Sequence, residues 1–391
     1  MKRSMRWSLG ALVAVVVLAS PIAYLSIRWK ASHWLPRYCV SSIAEVFERD
    51  APPRHLMFVM VDHYEPGFGD EGAAFNREWI DAFRAVSSAH RDSYGNPYRH
   101  SWFYAYDHGN EAVLADLSLA VEEGLGEIDL HWHHPRELDN AGFERALDEA
   151  VRWFAKHGAL VAADGTPHFG YIHGNWALDG CAPFCHVTNE LKILQDAGCY
   201  ADFTFSTVGT SCQPSMVNTL YQATESDASL SHRTGEPLRV GSPVDGLVIF
   251  GGPIGLLLPR LEYGAVEFYA KPTPRRVRFW VDSHISVEGR PEWAFVKVYT
   301  HSAQSFDALF RDGDLADVLT WLQDETKRRG IELHYVTARE AYNIARAAVS
   351  GETGNPEAYR DFVIPPPANR TGLRCEPSAG SMNCQAVSRA P

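Results

Sequence analysis

The sequence predicts an α/β protein built on a parallel sheet, open or closed into a barrel, behind an N-terminal membrane helix. Three observations predict it. From about residue 54 onward, strand-like and helix-like segments alternate, the pattern of a parallel sheet with crossover helices. Four strand-like runs end at residues that carry chemistry, Asp62, His131, His173 and His301, and in barrels of this class the active site lies at the carboxyl ends of the strands. The 391 residues are 46% hydrophobic and 21% charged, a globular balance with length for one large domain or two ordinary ones.

The first element is the membrane helix. Lys2, Arg3 and Arg6 precede an apolar stretch over residues 7–27, which Arg28 and Lys30 close. About 20 apolar residues span a bilayer as a helix. Residues 1–30 therefore read as an uncleaved signal anchor, with the chain membrane-anchored on the periplasmic or cell-surface side. Cleavage near Leu18-Ala19-Ser20 would make it secreted. Residues 31–53 read as a linker.

Residues 56–61 are continuously apolar, as in a buried strand. Residues 77–90 carry Trp79, Ile80, Phe83 and Val86 at helical spacing. Residues 113–121 are helical and lead into a strand over 128–133. Residues 143–156 form a strong amphipathic helix before a strand at 169–173. A helix over 189–197 precedes a strand over 200–205. Residues 247–250, 277–281 and 293–299 look like strands. Residues 315–328 are a helix, 332–336 a strand and 338–349 a final helix. Between them, 208–246 and 251–276 are rich in Gly, Pro, Ser and Thr, and read as lids or insertions. Residues 352–391 read as a Pro-rich, largely disordered tail.

The strand at 128–133 alternates. Ile128, Leu130 and Trp132 share one face, and Asp129, His131 and His133 the other. Two imidazoles two residues apart on one face can reach the same cation, and Asp62 and His63 at another strand end supply further donors. Imidazole plus carboxylate is the ligand set of a catalytic divalent metal, zinc by default. His133 and His134 compete for one position, and His133 is favoured because it shares the face of His131. Glu65 stands near the motif as an alternative base to Asp62.

Composition excludes some classes. A net charge of −12 argues against nucleic acid, whose phosphates need clustered Lys and Arg. No Walker loop or Gly-X-Gly-X-X-Gly segment follows a strand, so nucleotide binding has no support. Seven cysteines fit an exported protein. Cys375 and Cys384 are close in the tail, Cys199 and Cys212 are another possible pair, and Cys39 is left over. Cys181 and Cys185 read as a disulfide or two free thiols rather than half a zinc site, since no second cysteine pair follows.

At this point the residues resemble a family. Glu127-Ile128-Asp129-Leu130-His131-Trp132-His133-His134-Pro135 looks like the second motif of NodB-type polysaccharide deacetylases. Residues 58–63 resemble the first motif, 171–179 the third, 191–206 the fourth and 297–301 the last. The likeness runs in order from about Arg54 to Gly351. It implies a distorted (β/α) barrel over residues 54–351 that removes acetyl groups from a carbohydrate with a divalent metal. It implies Asp62 as base and His301 as acid, with metal ligands among Asp62, His63, His131 and His133. His173, Trp176 and Asp179 fall in the third motif as substrate contacts, and Glu190 is a further acid nearby. Three departures stand out. Asp62-His63 replaces an Asp-Asp pair, the histidines are spaced differently, and Ile172 stands where the family has arginine.

A membrane-anchored carbohydrate deacetylase is thus the expected function. The alternatives are a glycoside hydrolase, which needs two facing carboxylates about 5–10 Å apart, such as Asp62 with Asp179 or Glu65, and a non-catalytic carbohydrate-binding or assembly factor.

Overall fold

The computed structural model describes residues 23–24, 26–40, 53–226, 230–257, 260–378 and 381–386. The anchor expected over residues 1–30 falls largely outside them. Among the described residues no helix is long and apolar enough to cross a membrane.

The strands are β1 (His55–Tyr64), β2 (His100–Ala105), β3 (Gly126–Trp132), β4 (Phe169–His173), β5 (Cys199–Asp202), β6 (Leu220–Ala223), β7 (Glu236–Pro237), β8 (Leu247–Phe250), β9 (Gly255–Leu257), β10 (Arg260–Glu262), β11 (Ile285–Ser286), β12 (Trp293–Thr300), β13 (Glu332–Tyr335), β14 (Leu373–Ser378) and β15 (Ser381–Ala386). Eleven of them form one sheet, in the order β11-β12-β1-β2-β3-β4-β5-β8-β6-β7, with β13 also on β1. The ladder from β12 to β8 is parallel, and β6, β7 and β11 pair antiparallel at its ends. No continuous ladder closes a barrel among the described residues. The two edges meet at a single parallel bridge between Arg239 and Glu288.

Helices α1 (Gly69–Ala89), α2 (Glu111–Glu122), α3 (Asn140–Ala155), α4 (Glu190–Asp196), α5 (Pro274–Asp282), α6 (Asp314–Arg329) and α7 (Ala338–Val349) connect the strands. Several start where a side chain caps the free N–H groups: Asn110 before α2, Asp139 before α3, and a Thr337–Glu340 capping box before α7. Burial follows strand parity. Leu56, Phe58 and Met60 pack with Trp79, Trp102 and Leu117 in one cluster, while Met57, Val59 and Val61 pack with Phe103, Ile172, Phe203, Phe250 and Phe295 in another. Helix α7, buried almost all round, contributes Ala341, Ile344, Ala345 and Ala348 to the second cluster.

Three expectations are corrected. Residues 277–281 are not a strand but lie in α5. Thr273 caps that helix, a proline occupies its first turn, and Val277, Trp280 and Val281 bury one helical face; an apolar run this short fits either period. The supposedly disordered tail folds back. Strands β14 and β15 form a hairpin stapled by Cys375–Cys384, and Leu373 and Met382 pack against the main core. The other disulfide joins Cys181 to Cys212, so neither Cys181–Cys185 nor Cys199–Cys212 forms, and Cys185 and Cys199 are buried thiols. The segments read as lids supply short strands, β6 and β7 from 208–246, and β9 and β10 from 251–276.

Candidate metal centre

Parity decides which residues meet at the carboxyl ends of the strands. His63 continues the side of β1 that carries Val59 and Val61, and Glu65, two residues on, follows it. His131 and His133 repeat this spacing at the end of β3. The three side chains Glu65, His131 and His133 place one donor atom each within 4.8 Å of one another.

The hydrogen bonds around them orient lone pairs inward. His131 Nδ1 lies 2.9 Å from the Ile172 carbonyl, which only accepts, so Nδ1 carries the proton and Nε2 the lone pair. That Nε2 faces Glu65 Oε1 at 3.1 Å. His133 Nδ1 bonds Asp107, 3.1 Å from Oδ2, and its Nε2 faces the same Glu65 oxygen at 3.5 Å. Burial alone would raise Glu65, but its bond to His131 and the nearby imidazoles outweigh it and lower the carboxyl to about 2. Burial dominates at His131 and lowers it, so the neutral ring is favoured. With Nδ1 protonated and the ring neutral, Nε2 and the Glu65 carboxylate would both be acceptors, so this contact needs either a proton on Nε2 or a cation in its place. A cation satisfies both acceptors. Asp107 behind His133 is the carboxylate–histidine support that orients metal-binding imidazoles, and Gln304 Nε2 donates to Glu65 Oε2 at 2.9 Å.

His63 stands beside this set. Its ring lies 4.9 Å from that of His131 and 4.4 Å from that of His301, and its buried Nε2 has no hydrogen-bond partner. Burial, then His301 and His131, push it well below its usual value, so it is neutral. His301, at the end of β12, bonds through Nδ1 to Glu267 Oε1 at 2.7 Å. Burial opposes its charge, but the Glu267 bond prevails and raises its pKa. Trp176 meets the His301 ring edge-on at 6.4 Å.

Other expected site residues are elsewhere. Asp62 has the opposite parity to His63. Fully buried, it accepts from His100 Nε2 at 2.9 Å and from the Ser302 amide at 2.9 Å, and also bonds the Ser302 hydroxyl. Successive strand residues point to opposite faces, so Asp62 and His63 do not join one site. Asp179 is also fully buried; its backbone N–H donates to Glu190 Oε2 at 2.6 Å and its Oδ2 accepts from the Ser231 amide at 2.6 Å. His173 points away from Glu65 into a cluster with His134, Cys185 and Glu190. A third cluster, His55, Glu332 and His334, lies at the amino ends of β1 and β13.

Sequence reasoning missed Asp107, Glu267 and Gln304 and gave Glu65 only as an alternative base. Glu65 had a signal, the same two-residue step from His63 that joins His131 to His133. Asp107 and Glu267 come from connections after β2 and β10, where nothing local marks them. No protein-family model matches the chain, and no curated protein is matched by it.

Proposed function

We propose that the chain is a metal-dependent hydrolase that removes acetyl groups from an extracytoplasmic carbohydrate, on a distorted (β/α) barrel of the polysaccharide deacetylase kind. One observation carries the reading: Glu65, His131 and His133 bring a carboxylate oxygen and two imidazole nitrogens to one point, beside His301, whose pKa the Glu267 carboxylate raises. The near-meeting of the sheet edges at Arg239 and Glu288 supports the barrel. Two disulfides support a compartment that keeps thiols oxidised, outside the cytoplasm behind the N-terminal anchor.

Glu65, His131 and His133 would hold a divalent ion, zinc by the preference of imidazole and carboxylate donors. Such an ion would supply Lewis acidity toward the acetyl carbonyl and toward water. The residues do the rest. Neutral His63, with a free nitrogen, accepts a proton from the attacking water. His301 gives its proton to the leaving amine or alcohol as the acyl bond breaks and acetate forms. Glu267 keeps His301 charged and oriented. Trp176, half-buried at the mouth, offers an aromatic face to the sugar. The glycoside hydrolase alternative loses support, because Asp62 and Asp179 are buried and bonded within the protein.

Elemental analysis tests the ligand set. His131→Ala is expected to lose one tightly bound divalent ion per folded chain and its acetate release together. A variant that keeps the wild-type metal content at this centre contradicts the assignment.

A further inference from the structure

We propose that His134, His173, Cys185 and Glu190 form a second metal site, a closed zinc-type centre that fastens the loop between β4 and α4 to the ends of β3 and β4. It does not rest on the deacetylase reading.

The four donors come from four places in the chain: His134 just after β3, His173 at the end of β4, Cys185 in the following loop and Glu190 at the start of α4. His134 Nε2 and His173 Nε2 are 2.9 Å apart. Cys185 Sγ lies 3.6 Å from the first and 3.9 Å from the second. Glu190 Oε1 is 3.5 Å from His173 Nε2. Tetrahedral zinc with bonds of about 2.0–2.3 Å holds its donors roughly 3.3–3.8 Å from one another, and these separations bracket that range.

Hydrogen bonding shows why a cation fits. His134 Nδ1 faces the Pro135 carbonyl at 3.3 Å, and His173 Nδ1 is closest to the Gly174 carbonyl, with the Ala177 amide further away at 3.3 Å. Where each carbonyl accepts from Nδ1–H, both Nε2 atoms carry lone pairs that point at each other; where the Ala177 amide donates to His173 Nδ1 instead, the His173 Nε2 proton lies between the rings in the place a metal would take. Two facing lone pairs need a proton or a metal between them. Glu190 adds a fully buried carboxyl group. It accepts from the Tyr171 hydroxyl and the Asp179 amide, and no Lys or Arg among the described residues pairs with it. A buried carboxylate without a counter-ion is costly, and it is met either by taking up a proton or by ligating a metal.

The disulfide pattern agrees. Cys181 is tied to Cys212, leaving Cys185 a buried thiol four residues later. Thiolate with imidazole selects zinc over hard cations. Four protein donors leave no open position, the mark of a structural rather than a catalytic centre. His133 and His134 are consecutive and turn to opposite sides of the strand end, so each serves a different centre. The loop so fastened carries Trp176.

Cobalt reports the thiolate directly. The full chain, purified in detergent, is loaded with Co²⁺ and its spectrum recorded with the metal content. Wild type is expected to bind about two ions per chain and to show an intense near-ultraviolet thiolate-to-cobalt band. Cys185→Ala is expected to lose the band and one ion, while His131→Ala loses one ion and keeps the band. A cobalt-loaded wild type without the band overturns the proposal, even if Cys185→Ala fails to fold. A band or full stoichiometry persisting in Cys185→Ala overturns it too, because the thiolate then belongs elsewhere.

Discussion

Asp62 and His63 are neighbours in sequence with separate duties. Asp62 braces β1 against His100 and the turn at Ser302, while His63 faces the His131 ring of the candidate metal centre. Asp62→Ala is therefore expected to leave metal content intact and to destabilise the fold. It orphans buried polar groups on His100 and Ser302, at about 1–3 kcal/mol each. Denaturant unfolding alongside elemental analysis checks this, and lost metal at unchanged stability contradicts it. His301 gives a pH test. Its folded pKa is raised above the usual 6.5 by Glu267 against the effect of burial. The charged ring's contribution to stability is thus complete below 6.5 and lost as pH rises through the raised value. The alkaline fall of kcat/KM reports the same proton. In Glu267→Gln that fall is expected to move to lower pH with metal content unchanged; an unmoved profile removes His301 from the acid role. At this scale the sequence was half legible. Alternation alone pairs His131 with His133 and His63 with Glu65. Asp62 was drawn in as the neighbour of His63 at the strand end, against that alternation.

Elements place these residues through close contacts that no local pattern announces. Gly174 follows His173 at the end of β4, and a Cβ there would sit 2.3 Å from Cδ2 of the His133 ring and 2.7 Å from its Cα. The strand ends pack this closely only because Gly174 has no side chain. Gly174→Ala is expected to displace His133 and weaken metal binding at the Glu65 centre by at least 10-fold, the lower end of what outer-shell changes cost. Metal-competition titration measures it, and wild-type affinity would show that His133 is not a ligand. Most elements were legible because their periods are long and their caps explicit, as at Asn110, Asp139 and Thr337. Helix α5 was not, since five apolar-leaning residues fit a strand as well. The β14–β15 hairpin was not legible either. Its strands are polar, and what holds them is the Cys375–Cys384 staple and packing on the core.

The whole molecule arranges a parallel sheet so that side chains from β1, β3 and β12 converge at one end, with supports reaching in from loops far along the chain. Glu267 to His301 and Asp107 to His133 are such supports. Strand–helix alternation revealed the sheet, but its edges meet where residues 238–240 pair with Glu288, a long-range pairing invisible to any local window. The proposed function requires this convergence to hold a metal used to hydrolyse acetyl groups. Acetate release from acetylated polysaccharides tests it most directly, measured on the full-length protein as purified, after chelation and after zinc is returned. The expected result is release that chelation abolishes and zinc restores. Release that survives complete chelation, or none from any acetylated glycan by the zinc-loaded protein, would contradict it.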